Sequence, residues 1–277
     1  MPFLGLCNGD PILGFLAKTL KATPVLVPER RIQPVCVLAH HGARNAFLGP
    51  LIDILVGKPT LNVPMFDSPM AELSGKETRS VGIDVGLEVL GNFLGGFKVP
   101  SAGISACFTG ARTVSFSFSN VSRHYVESTK LGGFVAGRSV EKKHPTAAIF
   151  FPRGQYKFLV IDSVITSSDF SIMVTNKSTA GFKLDIPAIQ NIVTKASVGV
   201  QAEAASELGV TFRGKPEEAL TFAFTCVEFI LDDSGLVTEL LPPKAVTKAA
   251  PTRAARPKVD VPGRFIITKE PGLLTLY

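Results

Sequence analysis

The run TVSFSFSNVS, residues 113–122, sets Val114, Phe116 and Phe118 against Thr113, Ser115, Ser117 and Ser119. Successive side chains of an extended chain point to opposite faces, so strict alternation reads as a strand with one apolar and one hydroxylated side. Working outward, the pattern reaches back to residue 104, with Ile104, Ala106, Phe108 and Gly110 on the apolar parity and Arg112 interrupting it. Three more segments repeat the scheme. Residues 79–89 place Val81, Ile83, Val85, Leu87 and Val89 opposite Ser80, Gly82, Asp84, Gly86 and Glu88. Residues 156–174 carry Tyr156, Phe158, Val160, Val164, Phe170, Ile172 and Val174 on one parity, broken by Asp162, Thr166 and Ser168, while Leu159, Ile161 and Ile165 make the first half apolar on both sides. Residues 197–213 set Val198, Val200, Ala202, Ala204, Leu208, Val210 and Phe212 against Ser197, Gly199, Gln201, Glu203, Glu207, Thr211 and Arg213.

Length gives these segments their meaning. A strand in a globular protein usually has about 5–6 residues, whereas a tilted strand that crosses a bilayer needs about 9–11. The four segments run from 11 to 19. They fall into two pairs, joined by GNFLGGFKVPSAG and by the helix-like NKSTAGFKLDIPAIQNIVTKA, with Pro187 at its start and Ile189, Ile192 and Val193 on one face. Two long hairpins are expected. Their apolar side has two possible destinations. In an antiparallel sheet it packs on helices while the polar side stays wet; in a membrane barrel lipid covers it, and serine, glutamine and glutamate face a water-filled lumen. Alternation alone permits both.

The 277-residue chain is 45% hydrophobic and long enough to bury a sizeable core. Its net charge of +6 is concentrated, because Lys244, Lys248, Arg253, Arg256 and Lys258 sit in one short segment and the rest is close to neutral. A basic tether, rather than a basic surface, argues against a nucleic-acid partner. No G-x-S-x-G elbow, phosphate-binding glycine loop, H-E-x-x-H or dinucleotide fingerprint occurs. His40 and His41 are strand neighbours that point to opposite faces, so they do not form a shared metal site. Neither catalytic residues, nor a metal, nor a bound cofactor is expected. The opening MPFLGLCNGDP lacks the basic start of a secretory signal, and no apolar run reaches the length of a transmembrane helix, so a cytoplasmic protein is expected.

Between the ends, Asp10-Pro11 can start a short helix through PILGFLAKTL, and QPVCVLAHH and ALTFAFTCVEFILDD read as strands. Cys36, Cys107 and Cys226 lie in apolar strand-like runs, where a reduced, buried thiol is the ordinary role. Cys7 instead follows a short apolar run near the N-terminus, where a cysteine can carry a reversible acyl chain. At the other end, PPKAVTKAAPTRAARPKVDVPG is rich in Pro, Ala and Lys and reads as an exposed, protease-accessible tether. The last residues turn apolar again: Phe265, Ile266 and Ile267, then Leu273, Leu274, Leu276 and Tyr277, are placed to dock on the body or to complete a sheet. Burial of each large side chain is worth about 1.5–3 kcal/mol as a gross term, less the cost of ordering the tail.

The order of these features, from MPFLGLCNGDPILGFL through two long hairpins with a helix inside the second to a short extension after ALTFAFTCVEFILDD, resembles the bacterial gasdermins over essentially the whole chain. The resemblance implies an α+β fold, a twisted antiparallel β-sheet with flanking short helices. It also implies a resting monomer in the cytoplasm, autoinhibited by its C-terminal peptide. A caspase-like protease would remove that peptide, and the freed part would oligomerise on membrane lipids into large β-barrel pores in the inner membrane, killing the infected cell as a defence against phage. Palmitate on the N-terminal cysteine falls here on Cys7. In these terms residues 1–241 form the pore-forming domain, 242–262 the protease-accessible linker and 263–277 the inhibitory peptide. Cleavage is expected between 240 and 262, with Arg253, Arg256 and Leu241 the leading candidates and Leu240 and Val259 also open. The lipid-facing residues would be Val81, Ile83, Val85, Leu87, Phe108, Val114, Phe116, Phe118, Ile172, Val174, Val198, Val200, Val210 and Phe212. The rival reading is a soluble binding module whose sheet encloses an apolar ligand; an enzyme ranks behind both.

Overall fold

The computed structural model describes residues 22–41, 44–70, 73–74, 81–82, 94–95, 98–108, 113–151, 156–174, 184–196, 199–241, 266–270 and 273–276. In chain order its strands are β1 (Thr23–Glu29), β2 (Cys36–His41), β3 (Arg44–Pro50), β4 (Phe66–Pro69), β5 (Leu73–Ser74), β6 (Val81–Gly82), β7 (Thr113–Tyr125), β8 (Lys157–Val174), β9 (Gln201–Ser206), β10 (Gly209–Arg213), β11 (Leu220–Leu231), β12 (Val237–Leu241), β13 (Ile266–Glu270) and β14 (Leu273–Leu276). Among the described residues, the helices α1 (Ser101–Ala106), α2 (Ser128–Val135) and α3 (Ile186–Ala196) accompany them. The strands join one mainly antiparallel sheet with helices against it, the α+β arrangement that the resemblance implies.

β8 is the spine, because its eighteen residues are apolar enough to be covered on both sides. One of its edges carries β2 along residues 157–160 and then β7 along 163–174. The other carries β11 and then β10. The parity breaks at Asp162 and Thr166 have a structural cause. Asp162 is an extra residue in β8 between the Ile161–Cys226 and Ser163–Thr225 pairs, and Phe222 is an extra residue in β11 between the Thr221–Thr166 and Ala223–Ile165 pairs. Each bulge moves the next side chain to the opposite face. Ile161 and Val164 therefore share one apolar cluster, and Phe222 and Ala223 share another.

The sheet also closes on itself. β8 bonds β2, β2 bonds β3, β3 bonds β14, β14 bonds β13, β13 bonds β1, β1 bonds β11, and β11 returns to β8. The C-terminal hairpin β13–β14 thus supplies two of seven staves. Cys36, Leu38, Leu159, Ile161, Val164, Phe224 and Val25 converge inside this circuit, whereas the alternate residues Val37, Ala39, Phe158, Val160, Val227 and Phe229 pack outside it against α2. Burial pushes the Cys36 thiol above its usual range, as expected for an inert interior cysteine.

Two expectations need correction. The strand expected over 104–118 begins only at Thr113 and runs on to Tyr125, while Ser101–Ala106 is helical. Ile104 and Phe108 are four apart, a spacing that puts two residues on one face of a strand or of a helix alike. Phe108 is accordingly buried beside α1 rather than on a strand. The 197–213 segment is a hairpin, β9 and β10, turned at Glu207-Leu208, where the Leu208 N–H donates to Ser206 Oγ at 3.2 Å. Of residues 79–89, Val81 and Gly82 form β6 against Val114 and Thr113; the others lie outside the described residues.

The turn from β11 into β12 is organised by Asp232. Asp232 Oδ1 accepts from the Ser234 N–H at 2.8 Å, the Ser234 hydroxyl at 2.6 Å and the Leu236 N–H at 2.9 Å. These donors, Ser234 foremost, hold the exposed Asp232 carboxyl below its ordinary value of 3.8. A lowered folded-state pKa adds stability above 3.8 that is lost as pH falls through the folded value. Asp232→Asn should therefore melt below the parent near pH 7, with the gap narrowing as pH falls below 3.8, as thermal midpoints at neutral and acidic pH would show.

Candidate functional site

The two-faced surface built by β7, β8 and β10 is sealed on its apolar side. Phe118, Phe170, Ile172, Val174, Val210 and Phe212 are all buried, and Val200 joins them from the approach to β9. Phe118 lies 4.5 Å from Phe222, nearly parallel, and 5.2 Å from Phe170. Their covers are Ile104 and Phe108 at α1, Ile189 and Val193 of α3, and Leu94, Val99 and Leu184 from the connecting segments. Asp185 starts α3 by accepting the Ala188 N–H at 3.0 Å, and Gln190 Nε2 donates to the Ala202 carbonyl of β9 at 3.0 Å. An eleven-residue helix is marginal alone in water. What holds α3 in place is the apolar face beneath it.

The opposite side of the same strands is polar. Ser171 and Thr211 share a hydrogen bond of 2.8 Å between hydroxyls, Arg213 meets Glu203 at 3.3 Å, and Met173 is exposed. A polar seam bounds this region toward the body. Asn120, at a φ of 52°, bends β7, and its side-chain amide donates to Asp169 Oδ2 at 2.7 Å. Ser167 Oγ donates to the Ser119 carbonyl at 2.6 Å, and Ser168 Oγ to Asp169 Oδ1 at 2.9 Å. Asn is among the non-glycine residues that enter the left-handed region most readily.

The C-terminal hairpin sits elsewhere, in the closed circuit. β13 runs parallel to β1 with Val25 opposite Ile266, and β14 runs antiparallel to β3 with Leu273 opposite Ala46 and Leu274 opposite Asn45. Ile267 faces Thr275 within the hairpin. Nothing in the sequence marks β1 and β3 as the seat, because strand edges bind backbone and leave no side-chain signature. Beside β2 and β3 opens an apolar cavity of about 430 Å³, walled by Val35, Cys36, Phe47, Leu51, Ile52 and Leu61 among others.

Of the remaining candidates, Val114 and Phe116 lie in β7 opposite Val174 and Ile172, and Leu241 ends β12 opposite Glu228. Cys7, Ile83, Val85, Leu87, Val198, Arg253, Arg256, Phe265 and Tyr277 lie outside the described residues. Among the described residues no group of three His, Cys, Asp or Glu side chains is placed to hold a metal ion, and no helix is long and apolar enough to cross a membrane.

The family model described as Bacterial Gasdermin Family matches residues 25–236. The chain belongs to the bacterial gasdermin family. It is 29% identical over 275 residues to a gasdermin from Vitiosangium sp., with 99% of each chain covered, and 26% identical to one from a Desulfuromonadales bacterium, covering 91% of this chain and 96% of the relative. In fold it is similar to a solved bacterial gasdermin from Bradyrhizobium tropiciagri, with a TM-score of 0.56 at 18% identity over 84% of this chain and 90% of the other. The gasdermin match takes in β7, β8, β10, α1 and α3, so the covered two-faced strands belong to the part the family shares. β13 and β14 lie beyond it.

Proposed function

We propose that this gasdermin is an autoinhibited pore former without enzymatic activity, resting as a cytoplasmic monomer. A caspase-like protease cuts the linker 242–262, at Arg253 or Arg256 or near Leu241, and the freed 1–241 part assembles on lipid into large β-barrel pores in the inner membrane. Death of the infected cell is the outcome, as a defence against phage. The observation that carries this reading is the β7–β8–β10 surface, apolar on one side, hydroxylated on the other, and covered on its apolar side by short helices that depend on it. Replacing those helices by lipid leaves the apolar face buried and lets the hydroxyl face line water.

Cells that express residues 1–262 should take up propidium iodide within minutes, while cells that express the full chain at the same level should exclude it. Uptake in neither case would defeat the reading. The 430 Å³ apolar cavity favours the rival binding module, which predicts intact cells in both cases and a bound apolar molecule in the purified chain.

A palmitoyl chain on Cys7 forms part of the same proposal, since one acyl chain supplies marginal, reversible membrane attachment that the strands then make permanent. The intact mass of native protein should exceed the sequence mass by one fatty acyl group, and Cys7→Ala should remove the increment and slow dye uptake about tenfold. An unmodified native mass alongside full killing would remove this element.

A further inference from the structure

The closed circuit of seven strands assigns the C-terminal hairpin a second role, which rests on the reading of the chain as an assembling pore former. β13 and β14 fill the gap between β1 and β3, and they lie on the far side of the linker from every other stave. Among the described residues, β13 is aligned with β1 at Ile266–Val25, and β14 with β3 at Leu273–Ala46 and Leu274–Asn45. While the linker is intact, the hairpin is held at high effective concentration; a cut removes that advantage.

Its departure uncovers two different edges. Among the described residues β1, Thr23–Glu29, is then left with β11 on its other side, and β3, Arg44–Pro50, with β2. Each then presents a row of unpaired N–H and C=O groups, the feature that recruits another strand. Pro24 and Pro28 lack an N–H and bracket Val25, Leu26 and Val27, so β1 offers a short template with a narrow choice of register. The same segment already accepts Ile266 opposite Val25.

Closing the gap within one molecule is obstructed. Three strand spacings separate β1 from β3, about 14 Å, and both are tied through β11 and β2 to the same strand, β8. The interior that would have to collapse holds Phe224 and Leu38 fully buried, with Phe47 against them. We propose that β1 of one copy pairs with β3 of the next, head to tail, and that this edge-to-edge contact builds the oligomer. Two unlike edges on one body make a heterologous contact, which propagates around a ring instead of stopping at a dimer.

The test uses the full chain with a sequence-specific protease site placed at Ala254-Ala255, carrying either Leu26→Cys or Ala46→Cys. The two variants are mixed on vesicles of phosphatidylethanolamine and phosphatidylglycerol, cut, and treated with a bifunctional maleimide of about 8 Å reach, enough for opposed and diagonal partners. A cross-linked dimer should form in the mixture well above either variant alone, and the doubly substituted chain should give a ladder of larger species, in each case only after cutting. Intramolecular linkage in the double variant without the mixed dimer, or equal linkage within each single variant, overturns the proposal. Leaking vesicles with no cross-link overturn it and leave the pore reading standing; sealed vesicles with the mixed dimer do the reverse. A second measurement needs no substitution in the body. Excess synthetic peptide of residues 264–277 should cap the edges and halt growth of the cut parent protein, whereas the peptide with Ile266→Pro and Leu274→Pro should not; assembly unchanged by the first peptide contradicts the proposal.

Discussion

A disulfide between Asn45→Cys and Leu274→Cys should keep the cut protein silent until it is reduced. The two residues are directly opposed in the antiparallel β3–β14 pair, where Cα atoms lie about 4.5–5.5 Å apart, inside the span a disulfide accepts without strain. The staple replaces the linker as the tether, so cutting between 242 and 262 leaves the hairpin covalently attached and its effective concentration high. Dye release by the cut, stapled protein should be slower than that of the cut parent by about two orders of magnitude, the scale on which tethering acts, and dithiothreitol should restore it. Equal leakage by the oxidised and reduced forms would show that the hairpin is not what restrains the chain.

Phe170→Ala should be the most destabilising single truncation of the covered surface. The ring is fully buried, touches Phe118 at 5.2 Å, and sits among Ile172, Phe212 and Val210 beneath α3. Removing a buried phenylalanine ring costs about 3–5 kcal/mol, partly from lost transfer energy and partly from the cavity left behind. For a chain of this size that corresponds to a thermal midpoint lower by about 10 °C. Phe170→Leu should recover most of the loss, since it fills much of the cavity. Differential scanning of both variants against the parent checks the pair, and a midpoint for Phe170→Ala within a degree or two of the parent would contradict the placement of this face in the core.

How far the sequence carried these conclusions depends on which physical signal each element left. β8 was legible because Val, Ile and Phe alternate along it, with Leu159, Ile161 and Ile165 marking the first half as apolar on both sides; its parity errors became intelligible once Asp162 and Phe222 proved to be bulges. The helix α3 was legible from Pro187 and the Ile189, Ile192 and Val193 stripe. Residues 104–108 were not, since Ile104 and Phe108 satisfy a strand and a helix equally and the small residues between them decide neither. The turn between β9 and β10 was hidden because the alternation keeps its phase on either side of it, so Ala202, Val210 and Phe212 continue one parity through a reversal of direction. The apolar C-terminal residues announced a docking segment, but its seat between β1 and β3 was invisible, because backbone edges impose almost no demand on side-chain identity.

If the C-terminal hairpin keeps a membrane-active surface closed, severing it should be enough to open a lipid bilayer. The direct measurement is release of an entrapped dye from phosphatidylethanolamine and phosphatidylglycerol vesicles by purified full-length protein, before and after a single cut placed at Ala254-Ala255. Vesicles should stay sealed before the cut and release the dye completely after it, with release abolished when the Asn45–Leu274 staple is oxidised. Vesicles that stay sealed after the cut across lipid compositions, or that leak equally before it, would contradict the account.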